Sequence, residues 1–115
     1  MSQTTRATWE ALAQRCREAT GPDPEIDAAI ADAGPAEAVE TGFWNYTASL
    51  DSIVSLIEKT LPRKAWEVAS PYSWSGKNAL SAADVGLNRE YAKTPALALC
   101  AAYCMARAGM EDDAP

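Results

Sequence analysis

The chain has 115 residues, with ten Lys and Arg against sixteen Asp and Glu and no histidine, for a formal net charge of -6. That length fits one domain, and a composition 48% apolar supports a buried core and argues against disorder throughout. The acidic balance excludes a general nucleic-acid binder, which needs a basic footprint to displace phosphate counterions. The missing imidazole excludes Ser-His-Asp and Cys-His catalysis and every histidine-bearing zinc site.

In chain order, Arg6 to Ala19 is the first predicted helix: Trp9, Leu12, Ala13 and Cys16 fall on one stripe at helical spacing. Gly21-Pro22 ends it. Asp23-Pro24 opens a second, short helix, with Asp23 as the cap and Pro24 at the first position, where its missing N–H costs nothing. Ile26, Ala29, Ile30 and Ala33 form its stripe, and Gly34-Pro35 closes it. Residues 36–45 read as a connection, with Phe43, Trp44 and Tyr46 packing onto the body of the domain. Leu50, Ile53, Val54 and Ile57 predict a third helix, capped by Thr47 or Ser49 and stopped at Leu61-Pro62.

After Pro62 the period changes. Ala65 to Ala69 alternates, placing Trp66 and Val68 on one face of a half-buried strand. Ser75-Gly76-Lys77-Asn78 is turn-rich, and Asn78–Asp84 is expected as the returning strand. Gly86–Lys93 is either a loop or a third strand around Tyr91. Thr94-Pro95 then starts a helix that is apolar around most of its girth to Ala108, so it is buried on more than one side. Gly109 is expected to stop it, leaving Glu111-Asp112-Asp113 in a frayed acidic tail. The expected fold is α+β: a small antiparallel sheet of two or three strands covered by about four helices. It forms a single domain over 1–115, with its core at 6–109 and a tail at 110–115.

Three runs carry a resemblance: Tyr46-Thr47-Ala48-Ser49-Leu50-Asp51; Leu61-Pro62 followed by Trp66; and Thr94-Pro95-Ala96-Leu97-Ala98-Leu99-Cys100-Ala101-Ala102. Together they look like small bacteriophage and prophage proteins with the phage ABA-sandwich domain. Glu25-Ile26-Asp27-Ala28-Ala29-Ile30-Ala31 resembles the upstream helix of that family. The match spans roughly residues 23–108. The chain departs from it at Arg63-Lys64-Ala65, where the family often has Gly-Trp. The resemblance implies a phage origin and a helix–sheet–helix sandwich. It implies no reaction and no catalytic residue.

Charge is unevenly placed. Gly21 to Thr60 holds eight acidic residues and one Lys, more net negative charge than the whole chain. Asp23, Glu25, Asp27, Asp32, Glu37 and Glu40 are therefore the candidate partner-binding face, an anionic surface for a host or defence-system protein with a basic groove. The alternative is a ligand site in which Trp66, Tyr72 or Trp74 stacks on a nucleotide signal and Lys77 or Arg89 meets its phosphate. A further alternative is a structural or regulatory homodimer. Ser75-Gly76-Lys77 lacks the upstream glycine of a P-loop, and no nucleophile elbow or dinucleotide fingerprint occurs. No catalytic residue, cofactor or metal is nominated. Cys100 and Cys104 lie four apart on one helix face, and with Cys16 as the sole further thiol they read as buried small side chains.

No apolar run reaches the ~20 residues of a bilayer span, and Met1–Arg6 lacks the features of a signal peptide. With three cysteines, an odd number, the expectation is a cytoplasmic protein with reduced thiols. The functional expectation is a non-enzymatic, phage-encoded acidic binding protein, in its sharpest form an anti-defence, anti-CRISPR-like inhibitor.

Overall fold

The computed structural model describes residues 6–33, 45–61, 63–69 and 81–112. Helix α1, Arg6–Glu18, buries Trp9, Leu12, Ala13 and Cys16, the stripe that the spacing of those residues predicts. Helix α2, Pro24–Ala33, begins as its first residues require. Asp23 Oδ1 accepts the N–H groups of Glu25 at 2.9 Å and Ile26 at 3.3 Å, two donors with no partner inside the helix.

Helix α3 runs Leu50–Thr60 and turns Ile53, Leu56 and Ile57 inward. Of its two expected caps, Ser49 is the one used: its side chain accepts the Ser52 N–H at 3.3 Å. At the other end the Leu61 N–H still reaches Ile57 O at 2.7 Å, and the helix stops.

The sheet is a three-stranded antiparallel meander in the order β1 (Trp66–Ala69), β2 (Ser81–Val85), β3 (Asn88–Ala92). The third strand, open as loop or strand in the sequence, is formed. Gly86 and Leu87 join it to β2 in a two-residue turn closed by the Val85–Asn88 pair. Gly86 has φ +64°, and it is the sole residue with positive φ among those described. Glycine at the first of two central positions is the type II′ pattern, whose twist matches that of the flanking strands.

Helix α4, Pro95–Asp112, is the spine of the fold. Thr94 caps it, with Oγ1 accepting the Leu97 N–H at 3.1 Å. It packs on α1, α3 and all three strands. Leu97 through Cys104 are each 0% exposed, as expected for a helix apolar around its girth. Small residues on both layers (Ala98, Ala101 and Ala102 on the helix; Ala83 and Ala92 on the sheet) are buried in one core. Alanine's weak preference for strands is overridden at β2 because small side chains let the two layers approach closely.

One expectation is corrected here. Gly109 does not stop α4, which continues through it to Asp112. A Cβ at Gly109 would meet nothing within 4 Å, and Ala106 and Ala108 just before it are buried. Packing of the preceding turn carries the helix past its glycine. The architecture is an α+β sandwich, a helix layer on a three-stranded sheet.

Candidate functional site

The acidic residues of α2 divide between its two faces. Asp27 sits on the inner side and is 7% exposed. Its Oδ1 accepts both the backbone N–H and the hydroxyl of Thr47, each at 2.8 Å. The Asp23 N–H in turn donates to Thr47 Oγ1 at 2.8 Å. This relay ties the start of α2 to the turn before α3, and it is why Thr47 does not cap α3. Burial pushes the Asp27 carboxyl above its ordinary value, and the two Thr47 donors offset only part of that rise. Asp27 is therefore a structural carboxylate, not part of an accessible acidic face. Asp23 is half-buried and occupied as the cap of α2.

The outer side of α2 carries Glu25, Ala28 and Asp32, all exposed. The two carboxylates lie seven residues apart, about 10 Å along the axis. The helix has no Lys or Arg of its own. Among the described residues the cation paired with Glu25 is Arg15 of α1, at 3.7 Å, and the Glu25 side chain remains 87% exposed. No ion pair among the described residues engages Asp32. Asp51 and Glu58 of α3 are exposed as well. Between α1 and α2 an open groove of about 250 Å³ is lined by Arg15, Glu18, Ala19, Asp23 and Ile26. Its charges are mixed. Glu37 and Glu40 lie outside the described residues.

The alternative ligand set fares differently. Paired strands put directly opposite residues on the same face of a sheet, and neighbours along a strand on opposite faces. Trp66, paired with Val85, shares its face with Val68 and Ala83, toward the helices. Arg89, paired with Asp84, shares the other face with Glu67. The sheet therefore separates Trp66 from Arg89 and does not bring them to one site. Arg89 is also committed: Nε and Nη2 donate to the two Asp84 oxygens at 2.9 and 2.8 Å, and Glu67 lies 3.9 Å away. Those hydrogen bonds raise the Arg89 guanidinium above its already high value. Trp66 is 38% exposed. Tyr72, Trp74 and Lys77 lie outside the described residues.

A cluster that spacing showed only in part sits where α1 crosses α4. Cys16, Cys100 and Cys104 are all 0% exposed and free. The neighbouring Cys100 and Cys104 thiols push the Cys16 thiol down, while burial pushes Cys100 and Cys104 up. Among the described residues no group of three His, Cys, Asp or Glu is arranged to hold a metal ion. An ion pair, Arg17 Nε to Glu90 Oε1 at 2.6 Å, joins α1 to the rim of β3. No described helix is long and apolar enough to cross a membrane.

Comparison with protein-family models, curated proteins and solved structures gives no match to the chain.

Proposed function

We propose that this chain is a non-enzymatic binding protein that docks the outer face of α2 on a basic surface of another protein. With the phage resemblance of its sequence, the fullest form of this reading is a phage-encoded anti-defence inhibitor. It would act in the bacterial cytoplasm by occluding a cationic groove of a host nuclease or CRISPR-type complex. The observation that carries the docking surface is the placement of Glu25 and Asp32. Both project from one exposed face of a helix without a cation, and the single nearby arginine leaves Glu25 almost fully in water. Exposed charge of one sign attracts a complementary surface and steers its approach. The ligand reading gains nothing comparable, because Trp66 and Arg89 face opposite sides of the sheet and the guanidinium is already held by Asp84.

The test is capture of proteins from a bacterial host lysate by the intact chain and by Glu25→Lys/Asp32→Lys. The expected result is a defence-system protein with a basic surface, identified by mass spectrometry, that is retained by the parent and lost by the double variant. Equal capture by both ends the proposal.

A further inference from the structure

The turn between β2 and β3 holds Leu87 fully out in water. The turn itself is tied down. The Gly86 N–H donates to Ala65 O at 2.7 Å, which links it to the residue before β1, and the Val85–Asn88 pair closes it. Register sets Trp66 opposite Val85, so this exposed ring stands at the same end of the sheet. The Lys64 side chain lies against the turn, with Cδ 3.2 Å and Nζ 3.8 Å from where a Gly86 Cβ would be. Arg63 and Ala65 on either side of it are exposed as well.

The charge left over at this end is positive. The carboxylates of the strands are engaged, Glu67 and Asp84 with Arg89 and Glu90 with Arg17. Arg63 and Lys64 form no ion pair among the described residues. A leucine held in water gains by entering an apolar medium. A tryptophan ring favours a boundary with one wet side, and Lys and Arg beside them are drawn to anionic headgroups. The tip is convex, and its Gly86 N–H is already used, so what it offers is apolar area and positive charge. A bilayer surface asks for those two alone, whereas a protein pocket would also have to match a shape. The chain's net charge of -6 acts at a distance and is screened over about 8–10 Å at physiological salt. Arg63 and Lys64 would meet the headgroups directly.

We propose that the β2–β3 turn is a docking tip for the surface of an anionic phospholipid bilayer. Leu87 enters the boundary between headgroups and acyl chains, Trp66 lies at headgroup level, and Arg63 and Lys64 meet lipid phosphates. The contact is peripheral, and no described helix is long and apolar enough to cross the membrane. One leucine and two cations make it weak and reversible, so it concentrates the chain at a membrane without anchoring it there. It uses no residue of α2 and stands or falls independently of that face.

Co-sedimentation of the full chain with vesicles tests the tip. Vesicles of equal parts phosphatidylglycerol and phosphatidylcholine are set against vesicles of phosphatidylcholine alone. The expected result is saturable binding to the phosphatidylglycerol vesicles that falls as salt rises, with much weaker binding to the neutral ones. Leu87 touches no core, so Leu87→Ser keeps the fold, and it should weaken partitioning roughly tenfold. Arg63→Gln/Lys64→Gln should weaken it by a similar factor. No binding to phosphatidylglycerol vesicles, equal binding to both kinds, or binding unchanged in Leu87→Ser overturns the proposal. Absence of vesicle binding together with capture of a host protein that Leu87→Ser abolishes would overturn it too, and would assign the tip to a protein pocket.

Discussion

The outer faces of α2 and of the sheet are both charged, yet they differ in what remains to be neutralised. On the sheet, Arg89 is clamped by Asp84 and approached by Glu67, so the charges are largely satisfied within the molecule. On α2, Glu25 meets Arg15 at 3.7 Å but stays 87% exposed, and Asp32 has no ion pair among the described residues. A charge already paired inside its own chain has little left to offer a partner, whereas an unpaired one in water can be matched from outside. The lesson extends to the two sides of α2 itself. Asp27, next to Ile26, is absorbed by Thr47 and belongs to the fold, whereas Glu25 and Asp32 belong to the surface.

The largest expected effect breaks the comparison directly. Glu25→Lys/Asp32→Lys weakens partner capture by at least roughly tenfold, whereas Arg89→Gln leaves capture unchanged in the same assay. Next comes the inner side of α2. Asp27→Ala leaves the Thr47 N–H and hydroxyl without their acceptor, and urea unfolding is expected to show a loss of about 1–3 kcal/mol. Because Asp27 and Thr47 form one relay, Asp27→Ala combined with Thr47→Val should cost less than the sum of the two single changes.

The pH dependence separates the two sides of α2 more finely. The folded chain holds the Asp27 proton more tightly than the unfolded chain does. Its contribution to stability is therefore fully present below the ordinary aspartate range, about pH 4, and is lost as pH rises through the higher folded value. Subtracting the Asp27→Asn stability profile from that of the parent should expose this fall. A difference that rises with pH over the same window would contradict the buried placement.

The smallest effect lies away from both faces. Gly109→Ala fills open space in a helical position and should stabilise by about 0.5–1 kcal/mol in urea unfolding, with capture unaltered. The contrasting Gly86→Ala should destabilise. Its φ is +64° and its Cβ would come within 3.2 Å of the Lys64 side chain.

Much of this architecture is written locally. The stripe from Trp9 to Cys16, the Asp23-Pro24 and Thr94-Pro95 starts and the alternation around Trp66 rest on neighbours within a few residues, and each is where its pattern places it. What stayed hidden depends on distant contacts. Asp27 follows Ile26 on the inner side of α2, but its partner Thr47 lies twenty residues away, so its charge read as surface charge. Trp66 and Arg89 both sit among basic and aromatic residues in the sequence. Only strand register puts them on opposite faces, and register depends on the two-residue turn at Gly86-Leu87. Gly109 is a local stop signal overruled by the packing of Ala106 and Ala108.

The most direct measurement is the salt dependence of affinity between the intact chain and its captured partner, set beside Glu25→Gln/Asp32→Gln. Exposed carboxylates on α2 predict that affinity falls steeply as salt rises for the parent and only shallowly for the neutralised variant. Equal slopes, or an affinity indifferent to salt, would contradict the claim that this helix face is the binding surface.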